Sequence, residues 1–187
     1  MEDLSLHVLD IVENSIVAGA KNIEVQVLED IKKGLLSITI IDNGAGMDED
    51  VLTKALDPFV TTKQDRRIGL GLPLFAEAAK MAGGNLLIES KKGKGTKIKA
   101  SFQYNHIDRK PLGDMSETII TLIIGNPEIN LRYTHKMNDE ICFLDTKELK
   151  SQLGKIPINS LQGIQIARKV LGPRMGTNKH KKLMIND

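Results

Sequence analysis

Two short polar stretches interrupt apolar sequence near the start of the chain. The first is DIVENS, residues 10–15, in which Asp10 and Asn14 lie four residues apart. On a helix this spacing places both side chains on one face, and a carboxylate beside an amide oxygen suits a cation that prefers oxygen ligands. The alternative interpretation is a solvated helix face, where such residues are common.

The second stretch is DNGAGM, residues 42–47, in which Asp42 ends an apolar run. An ionised carboxylate only accepts hydrogen bonds, so it can bind the exocyclic amine of adenine and would repel the carbonyl of guanine. Gly44 and Gly46 have no Cβ and let the backbone pass close to a flat ring. The alternative is an ordinary turn that begins with an Asp.

A third stretch, RIGLGLPLF, places Gly69 and Gly71 directly before a predicted helix. Backbone amides at a helix N-terminus bind phosphate oxygens, with help from the helix dipole. A dinucleotide-binding fingerprint is excluded because it needs a third glycine where Leu74 stands. The chain also has no stretch that fits the phosphate-binding pattern G-x-x-x-x-G-K-[ST].

The elements around these stretches are predicted from hydrophobic periodicity. LSLHVLDIVENSIVAGA has helical spacing, with Asp10 and Asn14 opposite its apolar stripe. NIEVQVLED and GLLSITIID form a hairpin, DEDVLTKAL and LPLFAEAAKMAGG form helices, and NLLIES with TKIKASF forms a second hairpin. The polar stretch DPFVTTKQDRRIGLGLP between the helices is a candidate functional loop. This order predicts an α+β sandwich over residues 1–104.

Residues 105–174 are predicted to form a small α+β module of unknown role. TIITLIIG is expected to be a strand, and LRYTHKMNDEICFLD a hairpin that turns at Asn138 and Asp139. One helix is expected to begin at Asp145, in a capping-box pattern, and the last helix at Asn159 or Ser160. Residues 175–187 are expected to be a basic, flexible tail.

The composition limits the location and the partners of the protein. Hydrophobic residues make up 41% and charged residues 27%, as in soluble globular proteins. A single cysteine, no secretory signal and no apolar run near ~20 residues predict a cytoplasmic protein without a membrane span. Aromatic residues are only 3% and the formal net charge is +2, which disfavours nucleic acid as a partner.

The motifs ENS, DNGAGM, DPFVTTK, GLGL and GKGT occur in the order and spacing of the GHKL superfamily, which residues 4–103 resemble. This superfamily includes gyrases, heat-shock chaperones, mismatch-repair ATPases and histidine kinases. The resemblance implies the Bergerat fold, a two-layer sandwich whose mixed sheet is covered by helices, and binding of ATP with Mg²⁺. PFVTTK and the sequence from GLGLPLF onward look most like the catalytic domain of bacterial histidine kinases, whereas DIVENSIVAGA is closer to mismatch-repair proteins.

The resemblance also implies roles for individual residues. Asn14 matches the Mg²⁺ ligand, and Asp42 matches the adenine-binding acid, with Thr96 assisting at the base. The remaining positions match the adenine pocket (Gly44, Gly46, Met47), the lid over the nucleotide (Thr61, Thr62, Lys63) and the phosphate box (Gly69, Leu70, Gly71, Leu72).

The chain departs from the superfamily at the catalytic base. Hydrolytic members usually carry Glu four residues before the Asn, where this chain has Asp10, which is one methylene shorter. Glu13 is the other candidate, about 100° further around the helix. Binding of ATP is therefore the firmer expectation, and turnover through Asp10 is expected to be slow.

Three functions are compatible with these residues. The first is a stand-alone kinase that phosphorylates a separate protein, as anti-sigma-factor kinases of the superfamily do. The second is a non-catalytic ATP-sensing regulator, and the third is a slow ATPase clamp of the mismatch-repair or gyrase type, for which a homodimer is expected. Only 13 residues precede Asn14, so we expect no dimerising hairpin with a phosphoacceptor His ahead of it. His7 is expected to be a surface or capping residue.

Overall fold

The computed structural model describes residues 3–55 and 71–172. Within them the chain forms six helices and six strands. The helices are α1 (Leu4–Val17), α2 (Glu49–Lys54), α3 (Gly71–Met81), α4 (Met115–Gly125), α5 (Thr146–Leu153) and α6 (Leu161–Leu171). The strands are β1 (Asn22–Asp30), β2 (Leu35–Asp42), β3 (Asn85–Lys91), β4 (Gly95–Gln103), β5 (Asn130–Met137) and β6 (Glu140–Asp145).

All six strands belong to one sheet in the order β3-β4-β2-β1-β5-β6. Every neighbouring pair is antiparallel except β1 and β5, which run parallel with Val25 opposite Tyr133. A mixed sheet with helices confirms the predicted α+β class and both predicted N-terminal hairpins. The residue alternation of β1 explains the layering, since Ile23, Val25 and Val27 are buried in a core shared with the helices.

The prediction that TIITLIIG is a strand is wrong, because these residues lie within α4. Asp114 caps the helix, and its side chain accepts a hydrogen bond from the Glu117 N–H at 3.0 Å. Buried residues recur at helical spacing, including Ile119, Ile120 and Ile123. The β-branched composition suggested a strand, but this weak preference is overridden because a helical stripe is buried in the core, where α4 contacts α1 and α6.

The other helices and strands predicted between residues 105 and 172 are confirmed, while the predicted tail, residues 175–187, lies outside the described residues. The β5–β6 hairpin turns at Asn138 and Asp139, where Asn138 adopts a left-handed backbone with φ 52°. Asp145 caps α5, and Ser160 rather than Asn159 caps α6 through a 3.2 Å bond from the Gly163 N–H.

The strands on both sides of residue 105 share one sheet and several tertiary contacts. The Leu4 N–H donates to the Pro111 carbonyl at 2.9 Å, which ties the start of α1 to the segment before α4. Between β1 and β5, His135 Nε2 lies 2.7 Å from Glu29 Oε1, and both side chains are almost fully buried. The boundary between residues 1–104 and 105–174 stays a prediction. The strands before and after it belong to one continuous sheet.

None of the helices within residues 3–55 and 71–172 has both the length and the apolar character that crossing a lipid bilayer requires.

Candidate functional site

The carboxylate of Asp42 is held at the C-terminal end of β2, at the meeting point of α1 and the following loop. Its side chain is only 8% exposed. Oδ2 accepts a 2.9 Å hydrogen bond from the Ser15 hydroxyl, and Oδ1 accepts a 2.8 Å bond from the Gly44 N–H. Each carboxylate oxygen has two acceptor positions, so both retain capacity for a further donor. The carboxylate is therefore fixed in place and still able to accept a hydrogen bond from a ligand.

The loop after Asp42 passes so close to its neighbours that glycine is required at two positions. A Cβ on Gly46, which has φ +65°, would lie 2.1 Å from the Lys91 carbonyl oxygen. A Cβ on Gly95, with φ +89°, would lie 2.0 Å from the Asp42 carbonyl oxygen. Both positions combine a left-handed backbone with a backbone contact, so the strain of any other residue would be large.

A network of hydroxyl groups joins this loop to the β3–β4 hairpin. Ser90 Oγ accepts from the Met47 N–H at 2.8 Å, donates to the Gly95 carbonyl at 3.0 Å and lies 2.9 Å from Thr96 Oγ1. Thr96 stands opposite Asp42 in the β2–β4 ladder and opposite Ser90 in the β3–β4 ladder. The structure therefore brings together Asp42, Met47 and Thr96, as the resemblance implies.

Two residues of this network, Ser15 and Ser90, were missed from the sequence. Ser15 directly follows Asn14 in DIVENS, so its proximity to that candidate was the available signal. Ser90 gives no sequence signal of its own, since its role depends on the cross-strand register that places it opposite Thr96.

Asp10 and Asn14 contact each other and the start of α3. Asn14 Nδ2 lies 3.5 Å from Asp10 Oδ2, and a Cβ on Gly71 would lie 1.5 Å from the same carboxylate oxygen. Both side chains are half-buried. The prediction that they lie opposite the apolar stripe is therefore wrong. They flank it, and the missing side chain of Gly71 admits the Asp10 carboxylate to the N-terminus of α3.

The remaining predicted residues lie on α1, on α3 or outside the described residues. Glu13 is exposed on α1, one position from Asn14. Leu72 packs against the core in the first turn of α3. The lid candidates Thr61, Thr62 and Lys63, and Gly69 and Leu70 of the phosphate box, lie outside the described residues.

His7, on α1, is fully buried against α3, so the prediction of a surface or capping role is wrong. Its ring stacks on Phe75 with the centroids 5.3 Å apart, and neither ring nitrogen has a hydrogen-bond partner in the described residues. Burial, with a smaller contribution from the positive charge of Lys110, lowers the pKa of His7 from 6.5 to about 4. The imidazole is therefore neutral at neutral pH and contributes apolar contact area.

The donor set near Asn14 fits Mg²⁺. This ion is commonly held by one or two protein oxygens, with phosphate and water oxygens completing its shell. The amide of Asn14 and the carboxylate of Asp10 provide such oxygens, and the described residues contain no cluster of three or more His, Cys, Asp or Glu that would form an all-protein metal site.

A cavity of about 290 Å³ adjoins the Asp42 end of the site. Its walls include Asp42, Ser90, Gly95 and Thr96, together with the β3–β4 turn residues Lys91 and Lys94. This volume is near the lower end of the usual range for small-molecule sites. The fixed carboxylate and the hydroxyl network are therefore accessible to a ligand.

Comparison with known proteins places the chain among nucleotide-dependent proteins. Residues 2–106 match the family described as histidine kinase-, DNA gyrase B-, and HSP90-like ATPase. The chain is similar to the DNA mismatch repair protein MutL of Listeria monocytogenes, with 27% identity over 200 residues that cover 87% of this chain and 32% of MutL. It is also similar to the anti-sigma F factor of Clostridium botulinum, with 33% identity over 109 residues that cover 56% of this chain and 72% of that protein.

A solved structure described as the N terminal domain of a DNA repair protein shares the fold, with a TM-score of 0.55 at 17% identity. The match covers 83% of this chain and 58% of that one. The chain spans about a third of the length of the MutL relative.

Proposed function

Because the chain belongs to the family of histidine kinase-, DNA gyrase B- and HSP90-like ATPases, we propose that it binds Mg²⁺-ATP and uses it to phosphorylate or regulate a separate protein. The family supports nucleotide binding through residues 2–106, while the ion is proposed from the site and the protein partner from the similarity to an anti-sigma F factor.

The observation that carries the proposal is the prebuilt environment of Asp42. The carboxylate is buried and held by Ser15 and Gly44, and a cavity of about 290 Å³ adjoins it. A buried acceptor that keeps free lone pairs favours a base with an amine at C6, so adenine is preferred over guanine, which has a carbonyl at that position.

Asn14 and Asp10 are proposed to serve the phosphate end. When bound, Mg²⁺ would bridge the phosphate oxygens and neutralise part of their charge. If the Asn14 amide nitrogen donates to Asp10, as their 3.5 Å separation suggests, its carbonyl oxygen remains available as a ligand. Asp10 also lies at the N-terminus of α3, so it is a better placed candidate base than the exposed Glu13.

A protein partner is supported by the similarity to an anti-sigma F factor, a relative named for its action on another protein. That similarity covers 72% of the relative, which is most of its length. In the kinase version of the proposal, Asp10 accepts the proton of the partner's hydroxyl as the terminal phosphate is transferred. In the regulatory version, bound ATP alone changes the contact with the partner.

A slow ATPase of the mismatch-repair type, acting as a homodimer, is a second candidate. The specific observation in its favour is that the MutL similarity covers 87% of this chain and so extends past residue 106. The short arm of Asp10 is consistent with slow hydrolysis, because a general base needs close approach to its water.

The proposal is tested by calorimetric titration of the full chain with ATP and with GTP, in the presence of Mg²⁺ and of EDTA. We expect ATP to bind at least about 100-fold more weakly to Asp42→Asn, because an amide in place of the acceptor presents a donor to the adenine amine. Asp30→Asn, at the end of the neighbouring strand, is the matched control and should keep full affinity. Equal affinity of Asp42→Asn and wild type for ATP would overturn the proposed site.

Terminally labelled ATP distinguishes the candidate activities. Release of labelled phosphate by the chain alone supports the ATPase, and transfer to a protein encoded beside it supports the kinase. Tight binding without either reaction supports the ATP-sensing regulator.

A further inference from the structure

The β3–β4 hairpin carries an unusual concentration of positive charge. Residues 89–99 contain five lysines and a single acid, whereas the whole chain has a formal net charge of only +2. Lys91, Lys92, Lys94 and Lys99 are exposed, and none of them forms an ion pair within residues 3–55 and 71–172. The acid, Glu89, is paired with Lys97 at 3.4 Å. We call the four exposed lysines the lysine patch.

A second lysine pair, at the turn between β1 and β2, has a different environment. Lys32 and Lys33 precede Gly34 just as Lys91 and Lys92 precede Gly93. In the β1–β2 turn, however, the Asp30 carboxylate accepts the Lys33 N–H at 3.0 Å and lies 3.4 Å from its Nζ. The charge of this turn is partly compensated within the turn, whereas that of the lysine patch is not.

The lysine patch is also rigidly attached to the candidate nucleotide site. The Gly93 N–H donates to the Ala45 carbonyl at 2.6 Å, and the Lys94 N–H closes the turn on the Lys91 carbonyl at 2.9 Å. Lys91 and Lys94 line the same cavity as Asp42 and Thr96. A ligand held by the lysines would therefore lie at the rim of the part of the site around Asp42 that is proposed to bind adenine.

We propose that the lysine patch is a docking surface for an acidic segment of a partner protein. The cationic groups are compact ammonium ions on flexible stems, which suit carboxylates arriving in varied geometries. This inference rests on the proposed function for the partner's role, although docking itself does not require bound ATP.

Protein is favoured over nucleic acid by two features of the hairpin. Single-stranded nucleic acid is held by stacking on aromatic side chains as well as by charge, and the one aromatic residue of β3 and β4, Phe102, is buried. Residues 89–99 have a net charge of +4, so the other residues together have a net charge of −2, even though residues 175–187 are themselves basic. A short acidic segment matches a positive surface of this size, whereas a long phosphate backbone would extend onto residues that are net negative on average.

The test measures binding of a fluorescein-labelled oligoglutamate peptide to the full chain by fluorescence anisotropy. The variant is Lys92→Glu with Lys94→Glu, and the matched control is Lys32→Glu with Lys33→Glu, which makes the same change of charge at the other turn. We expect the hairpin variant to bind at least about tenfold more weakly and the control to bind like wild type. The affinity of wild type should fall as salt is raised.

Three results would overturn the proposal. Equal weakening in both variants, or no binding by wild type, means that the lysines act only as solubilising charges. Tighter binding of a single-stranded DNA oligonucleotide than of the peptide, lost in the hairpin variant, would assign the patch to nucleic acid.

The Asp42→Asn variant separates this inference from the proposed function. It should lose ATP and still bind the peptide. If it keeps ATP, the nucleotide site is misassigned, and the peptide result stands independently.

Discussion

The two ends of the candidate site are stabilised by different interactions. At the proposed adenine end, around Asp42, the polar side chains are paired, as Asp42 accepts from Ser15 and Gly44, and Ser90 contacts Met47, Gly95 and Thr96. At the proposed phosphate end, around Asp10, α1 and α3 meet through the contact of Asp10 with Gly71 and the stacking of His7 on Phe75. The polar contact there, between Asp10 and Asn14, is 3.5 Å long, and the buried His7 has no partner among the described residues.

This difference indicates how each end should respond to perturbation. A satisfied hydrogen-bond network fixes a geometry and penalises any change of shape. An interface held by packing around a neutral imidazole tolerates a change of shape, but its stability is sensitive to protonation of that imidazole. The adenine end should therefore be vulnerable to added volume, and the phosphate end to pH and to loss of a cation ligand.

The largest effect is expected from Gly46→Ala, which tests the rigidity of the adenine end. The new methyl group would meet the Lys91 carbonyl at 2.1 Å, and φ +65° is unfavourable for alanine. We expect the free energy of unfolding to fall by about 3–4 kcal/mol, from backbone strain and overpacking together. Urea denaturation followed by circular dichroism measures this loss.

Gly93→Ala is the matched control, because Gly93 has φ +75° but nothing within 4 Å of the added Cβ. It should cost about 1 kcal/mol, from the backbone conformation alone. If the two variants lose the same stability, the close approach of the loop to β3 is not rigid, and the contrast between the two ends disappears.

A somewhat smaller effect is expected from His7→Leu at the phosphate end. The pKa of His7 is about 4 in the folded chain, against an ordinary value of 6.5. As the pH falls, the histidine of the unfolded chain therefore takes up a proton before that of the folded chain. The stability that depends on the neutral imidazole is complete above pH 6.5 and is lost as the pH falls towards 4. Between pH 6.5 and pH 4, titration of His7 should lower the free energy of unfolding by about 3 kcal/mol in all. The His7→Leu variant should lack this part of the acid destabilisation.

Urea denaturation at pH 7 and at pH 5 checks this prediction. Phe75→Leu is the control, since it removes packing in the same interface without removing a titrating group. It should lower the free energy of unfolding at both pH values, while the change in that free energy between pH 7 and pH 5 should equal that of wild type. If His7→Leu loses as much stability between pH 7 and pH 5 as wild type does, the acid sensitivity is not due to His7.

The smallest effect is expected from Asn14→Ala, which tests whether the phosphate end holds a cation. We expect the ratio of ATP affinities with Mg²⁺ and with EDTA to fall by about tenfold, or about 1.4 kcal/mol, because one oxygen ligand is lost. Val17→Ala, an exposed position one turn further along α1, should keep the ratio of wild type. An unchanged ratio in Asn14→Ala would remove the distinction between an adenine end and a cation end.

Much of the fold and part of the site followed from local sequence. Asp42 could be predicted because it ends an alternating strand and is followed by two glycines, and those glycines lie where the backbone passes close to Lys91 and Asp42. The spacing of Asp10 and Asn14 correctly predicted that they share a helix face. Ser90 could not be predicted, because its contact with Met47 joins residues 43 positions apart through a hairpin register.

The errors have a common physical origin. TIITLIIG resembles a strand because six of its residues are isoleucine or threonine, but burial of one helical stripe of α4 in the core outweighs that preference. His7 was expected at the surface because imidazole is polar. Its burial depends on Phe75, which is 68 residues away in sequence and reaches it only when α3 packs on α1.

The sequence by itself determined the family and the α+β class, because these depend on motifs and on periodicity read along the chain, and it named the candidate site residues. Only the tertiary structure decided that β5 extends the sheet beside β1, that Gly71 admits the Asp10 carboxylate to the start of α3, and that His7 is buried without a partner. These features arise where segments distant in the chain come within a few ångströms of each other. Their energies depend on distance and burial, which no local pattern encodes.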